Sequence, residues 1–259
     1  MKVTTAIRKL HRIKNRKKVI QGGTWAGKTY GIIALLIDYS ARNYDKKVTI
    51  VAETIPAVKE GALSQFREIM QQTGRWYEPR WNANTMTYQF AHGTRVQFKS
   101  FDTLGKAKAA GKRDILFINE CNHVSFEIAD ALMIRTEGDI WLDFNPDNEF
   151  WVHTEILTQP DSEFLLLKYT DNEGCPNTII EQLQYRQEQA KTSHYWKNWC
   201  RVYIDGEIGT LEGVIYNDWQ ITREQAKEGT VVYGLDFGFN VPTALCKVYF
   251  TQKVISVEE

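Results

Sequence analysis

The chain has 259 residues, 43% of them hydrophobic and 25% charged, with 32 Lys+Arg balancing 32 Asp+Glu. That is enough for one large domain, or a domain with part of another, and for a sizeable core; it excludes disordered, collagenous and coiled-coil proteins. The longest apolar run, Ile32 to Ile37, is far short of the ~20 residues of a membrane span, and no long apolar stretch follows the first charges as a secretory signal requires. Four cysteines (Cys121, Cys175, Cys200, Cys246) lie apart with no CxxC pair. They point to a reducing compartment rather than to disulfides or zinc. The expectation is a soluble, cytoplasmic protein without a membrane partner.

The zero net charge hides an asymmetry. Residues 1–18 carry eight cations (Lys2, Arg8, Lys9, Arg12, Lys14, Arg16, Lys17, Lys18) and no acid. The segment reads either as a solvated helix or arm, or as a contact to phosphate backbone or an acidic partner. Lys18 to Gln21 is a short strand running into glycines. Thr29 to about Asn43 has helical spacing, with Ile32, Leu36 and Tyr39 on one face. Val48 to Ala52 is a second strand. Pro56 opens a helix carrying Ala62, Phe66 and Ile69/Met70. Met86–Phe90 and Arg95–Phe98 alternate around His92-Gly93 as a hairpin. Ile115–Ile118 is a strand buried on both faces, followed by a helix near Phe126–Ile134 and a further apolar strand, Ile140–Phe144. Glu163–Tyr169 is one more strand, and Asn177 to about Arg201 is read as one helix. Strands alternating with helices give an α/β fold with a mostly parallel central sheet flanked by helices. After Glu207 the pattern weakens, and Val231–Phe239 and Ala244–Phe250 read as strands joined at Asn240-Val241-Pro242.

Gly22-Gly23-Thr24-Trp25-Ala26-Gly27-Lys28-Thr29 matches the whole GxxxxGK[ST] pattern, after a strand and before a helix. Glycines let successive N–H groups face phosphate oxygens, and the helix adds its dipole. Lys28 is placed to reach the β/γ-phosphates of ATP and the Thr29 hydroxyl to ligate Mg²⁺. The strand Ile115–Ile118 ends in Asn119-Glu120. Glu120 has the position of a general base for the attacking water. Asn119 stands where an Asp ordinarily holds Mg²⁺; its carbonyl can bind the metal's water shell but brings no charge. Asp114, at the other end of that strand, reads as a loop acid. Trp141-Leu142-Asp143-Phe144-Asn145-Pro146 is a third strand tip, able to sense the γ-phosphate.

In this order the motifs resemble the large terminase subunit of tailed bacteriophages. The resemblance rests on Gly22–Thr29, Leu116-Phe117-Ile118-Asn119-Glu120 and Leu142-Asp143-Phe144-Asn145-Pro146. It extends to Val202-Tyr203-Ile204-Asp205-Gly206-Glu207 with Gly213-Val214-Ile215-Tyr216, similar to an interdomain junction. Tyr233-Gly234-Leu235-Asp236-Phe237-Gly238 with Pro242-Thr243-Ala244 looks like the first strand of an RNase H-like nuclease. The resemblance implies a basic segment over 1–17, a P-loop ATPase domain over 18–205, a linker over 206–229 and the incomplete start of a nuclease over 230–259. It implies an ATP-hydrolysing motor that translocates double-stranded DNA into a procapsid. Lys28 and Thr29 would bind triphosphate and Mg²⁺, Glu120 would activate water, Asp143 and Asn145 would couple hydrolysis to movement, and Gln21 would lie near the nucleotide. Arg135 or Arg113 would act on the transferring phosphate. Asp236 would ligate a second divalent metal if the rest of the nuclease were present, but only Glu258 and Glu259 follow it as acids, so no nuclease activity is expected of these residues alone. The implied partners are DNA, a small terminase subunit and a portal ring carrying several copies, in the host cytoplasm and transiently on the procapsid. Another P-loop nucleic-acid motor such as a helicase, or an inert nucleotide- and DNA-binding module, remains open.

Overall fold

A computed structural model describes residues 3–209, 229–236, 244–250 and 255–258. The chain divides into two compact units, Met1–Glu212 and Gly213–Glu259. In chain order the first unit contains α1 (Thr5–Arg12), β1 (Lys17–Gly22), α2 (Lys28–Arg42), β2 (Lys47–Val51) and a composite helix. That helix comprises α3 (Ile55–Val58), a π-helical turn (Lys59–Leu63) and α4 (Ser64–Gln72). Next come β3 (Trp81–Asn82), β4 (Thr87–Gln89), β5 (Arg95–Lys99), α5 (Leu104–Ala109), β6 (Ile115–Ile118), α6 (Phe126–Met133), β7 (Ile140–Phe144), β8 (Ser162–Leu167), α7 (Asn177–Gln189) and α8 (His194–Tyr203).

Eight strands form one sheet in the order β3-β4-β5-β2-β6-β7-β1-β8. From β5 to β8 every pairing is parallel, and only the β3-β4-β5 edge is antiparallel. Alternation along the central strands feeds two cores. Ile20, Val48, Ile50, Phe98 and Phe117 point to the side holding α1, α2 and α4. Val19, Val51, Leu116, Ile118 and Leu142 point to the side holding α5 and α6. A strand buried on both faces is continuously apolar, which is why Ile115–Ile118 shows no polar alternation. Because these strands run parallel, the carboxyl ends of β1, β6 and β7 lie at one edge of the sheet, with β7 in the middle.

The expected hairpin forms between β4 and β5, with Gly93 at a left-handed φ of 92°. One expectation changes. The helix read from Asn177 to Arg201 is two helices: Ser193 is extended and its side chain accepts the Trp196 N–H, so it caps a new helix instead of continuing the old one. In the basic N-terminal segment, five of the eight cations pair with four of the chain's own acids, Arg8 with Glu173 among them (4.0 Å). Lys9 pairs with Asp171 (2.7 Å), Arg16 and Lys17 with Asp161 (3.6 and 2.9 Å), and Lys18 with Asp139 (3.1 Å). α1 lies against α2 so closely that a Cβ at Gly31 would stand 2.5 Å from Leu10 Cδ1.

In the second unit, β9 (Thr230–Asp236), β10 (Ala244–Phe250) and β11 (Ile255–Glu258) form an antiparallel sheet in the order β11-β10-β9. Residues 237–243, which include the expected turn at Asn240-Val241-Pro242, and most of the expected linker lie outside the described residues. Among the described residues no helix is long and apolar enough to cross a membrane.

Phe66 centres the aromatic cluster under the β3-β4-β5 edge: it is 1% exposed, with its ring centroid 5.3 Å from Phe98, 5.7 Å from Tyr88 and 6.5 Å from Trp76. Phe66→Ala is expected to lower stability by ~3–5 kcal/mol in urea unfolding, since packed aromatic neighbours collapse poorly into the cavity.

Candidate nucleotide site

The loop between β1 and α2 is held from outside. Gly23 N–H donates to the Leu167 carbonyl at 3.3 Å and Thr24 N–H to the Tyr203 carbonyl at 2.8 Å. A Cβ at Gly23 would sit 2.2 Å from that Tyr203 oxygen, so only glycine fits there. Trp25 (φ 57°) and Gly27 (φ 78°) are both left-handed. Left-handed residues interspersed in a tight loop turn successive N–H groups toward one point and make an anion nest. The N–H groups of Trp25, Ala26 and Gly27 take no backbone acceptor among the described residues. Asn172 holds the crest of the loop by donating to the Trp25 carbonyl at 2.9 Å. No local motif marks Asn172; its role comes from the turn after β8 returning beside the loop.

Lys28 opens α2, and its ammonium donates to the carbonyls of Gly22 and Gly23 and to Asn145 Oδ1, each at 2.8 Å. Burial lowers its pKa to about 8, against the raising influence of Asp143, Glu120 and Asp147. Thr29 Oγ1 donates to Asp143 Oδ2 at 2.6 Å. Asn119 Nδ2 donates to Asp143 Oδ1 at 2.9 Å and contacts Thr29 Oγ1 at 3.3 Å. The Glu120 N–H donates to the same Asp143 oxygen at 2.8 Å. Glu120 itself is exposed and left-handed, with φ 52°. That conformation costs a non-glycine residue about 1–2 kcal/mol. The structure thus brings together Lys28, Thr29, Asn119, Glu120, Asp143 and Asn145 from three strand ends.

Gln21, Arg113 and Arg135 stand elsewhere in the first unit. Gln21 is buried, and its amide donates to the Gly206 carbonyl at 2.7 Å; it ties β1 to the segment after α8 and is not part of the loop's cradle. Arg113 lies before β6, donating to Leu132 and Gly111 carbonyls, and Arg135 donates to the Ala131 carbonyl. Both stand at the amino end of the sheet. Six residues, four of them β6, separate Arg113 from Glu120, on the order of 20 Å. Asp114 accepts from Lys46 Nζ and from the Lys47 N–H, a structural role at that same end. Asp236 closes β9 in the second unit. Among the described residues no three His, Cys, Asp or Glu side chains converge as a metal cage. A hard cation beside Thr29 and Asp143 meets oxygen donors that suit Mg²⁺, which ordinarily shares its coordination with phosphates and water.

Fold and site together define a P-loop nucleotide-binding domain. A family model described as the phage terminase large subunit matches residues 14–206. The chain belongs to that family. It is 23% identical over 106 residues to the PBSX phage terminase large subunit of Bacillus subtilis strain 168, covering 41% of this chain and 24% of that one. The large terminase of a thermophilic bacteriophage superposes with a TM-score of 0.64 at 15% identity, over 97% of this chain and 65% of that chain, and has also been solved with ADP and with ATP-γ-S. The ATPase domain of the Thermus phage P74-26 large terminase superposes with a TM-score of 0.56 at 13% identity, over 78% of this chain and 92% of that one. This chain therefore spans about a quarter of the curated relative and about two thirds of the thermophilic bacteriophage protein.

With a pKa of about 8, Lys28 is half neutral near that pH, where an ordinary lysine is almost wholly charged. Labelling with an amine-reactive reagent, read by mass spectrometry, should show a midpoint near pH 8 at Lys28, well below that of surface lysines.

Proposed function

We propose that this chain is an ATP-hydrolysing DNA-packaging motor subunit. The observation that carries the reading is the convergence of Lys28, Thr29 and Glu120 at the anion nest after β1. The nest and Lys28 bind the phosphates, and the Thr29 hydroxyl stands where Mg²⁺ joins them. Held beside Thr29 Oγ1, Mg²⁺ would offset the negative charge of the phosphates. Glu120, exposed at the tip beyond β6, takes a proton from the attacking water. The complexes of the thermophilic bacteriophage terminase with ADP and ATP-γ-S support nucleotide binding by this fold.

Asn145 couples nucleotide to movement through Lys28. Its side-chain oxygen shares the ammonium with two loop carbonyls. A phosphate that draws Lys28 away releases Asn145, and with it the segment after β7. The arginine that completes the transfer is neither Arg113 nor Arg135 of the same chain, given their place at the far end of the sheet.

DNA contact belongs to cations without acid partners. Since the N-terminal cations are mostly paired, the better surface is the outer sheet. Arg95 and Lys99 share one face of β5, and Lys47 sits in register beside Arg95. None of the three has an ion-pair partner among the described residues. Lys47 has its pKa lowered by burial and by Lys99, Arg113 and Arg95, a sign of crowded positive charge. A neighbouring cleft of about 820 Å³ adds Arg80 and Gln97. The remaining partners are a small terminase subunit and a portal ring with further copies of this chain, met in the host cell during packaging.

Glu120→Gln should lower Mg²⁺-dependent ATP hydrolysis by ~10²–10⁴-fold while leaving nucleotide affinity in place. A parent chain that binds ATP without turning it over, with or without duplex DNA, would overturn the motor reading. Replacing Lys47, Arg95 and Lys99 by Ala should flatten the dependence of log affinity for duplex DNA on log salt by ~0.9 for each phosphate no longer neutralised; an unchanged slope would remove this face from the DNA path.

A further inference from the structure

We infer that Asp143, on β7, carries the negative charge of the cation site beside Thr29, and that Asn119 is its positioning residue. The inference rests on the nucleotide reading above and assigns the charge that position 119 lacks. In the sheet Ile118 pairs with Leu142, so the next residues, Asn119 and Asp143, leave adjacent strands side by side. β7 lies between the strand that feeds the P-loop and the strand that ends in Glu120. A carboxylate at its tip therefore reaches both.

Asp143 is 1% exposed. Its two oxygens accept from the Thr29 hydroxyl, the Asn119 amide and the Glu120 N–H, and it makes no ion pair among the described residues. Three donors hold the carboxylate in place, but a buried negative charge also calls for a countercharge. Lys28 supplies only part of it, because its three protons are directed at Gly22, Gly23 and Asn145. A divalent cation beside Thr29 completes the balance. The hydroxyl gives its proton to Asp143, which leaves lone pairs for the cation.

Asn119 cannot take that part. A carboxylate only accepts, so the amide nitrogen must face Asp143. The amide oxygen then turns toward Gly61 in the π-helical turn, where an added Cβ would stand 3.2 Å from it. The expected metal role of Asn119 is thus replaced by a positioning one. An Asp at 119 would put two carboxylates in contact, which resist simultaneous ionisation. The neutral amide is what allows the charge to sit on β7.

The test measures binding of a fluorescent ADP analogue to the full chain in Mg²⁺ and in EDTA, with melting curves to check that each variant is folded. In the parent, Mg²⁺ should tighten binding. Asp143→Asn should shrink that gain by about tenfold or more while changing the EDTA affinity no more than about twofold. The exchange variant Asn119→Asp/Asp143→Asn, which returns a carboxylate to β6, should recover the gain. A full Mg²⁺ gain in Asp143→Asn, or a folded exchange variant that fails to recover it, overturns the inference and leaves the nucleotide reading standing. A parent that binds the analogue in neither buffer overturns both.

Discussion

The hydrogen bond from Thr29 to Asp143, at 2.6 Å, joins three parts of the chain at one carboxylate. Thr29 belongs to the first turn of α2, Asp143 to the end of β7, and Asn119 and Glu120, which donate to the same carboxylate, to the end of β6. Each partner comes from the carboxyl edge of a parallel sheet, so the contact requires the strand order β6-β7-β1. In an open α/β sheet such edges are where ligands bind. The two cores on either side of the sheet fix the strands, and the carboxylate then fixes their tips.

Much of this was legible in the residues. Gly22–Thr29 states both a loop and its chemistry, because few other spacings let glycines, a lysine and a hydroxyl meet a triphosphate. The buried strands at Ile115 and Ile140 show as unbroken apolar runs, and Glu120 and Asn145 sit at their polar ends. The α/β class followed from alternation alone. What could be read was local: periodicity, a loop, a strand end.

What could not be read depends on which strands are neighbours. Asn119 looks like a missing charge until Asp143 is seen beside it in the next strand. Gln21, next to the loop in sequence, faces the other way, since alternate residues of a strand point to opposite faces. Arg113 and Arg135 precede the right strands but stand at their wrong ends. Asn172 reaches the loop from 147 residues away, a contact without a local signature. The helix break at Ser193 depended on weighing one cap against a long helical pattern, and the cap prevailed.

The N-terminal helix backs the site from outside the stretch that matches the family. α1 ends at Arg12, just ahead of the stretch that matches the family, yet Leu10 sits against Gly31 in the helix that launches from the P-loop. Thr5 also reaches Glu173, next to the residue that pins the loop crest. Part of the backing of this loop and its helix is therefore supplied by a segment outside the matched stretch. Chains that share every motif but differ in their first dozen residues would rest the same loop and helix on a different surface.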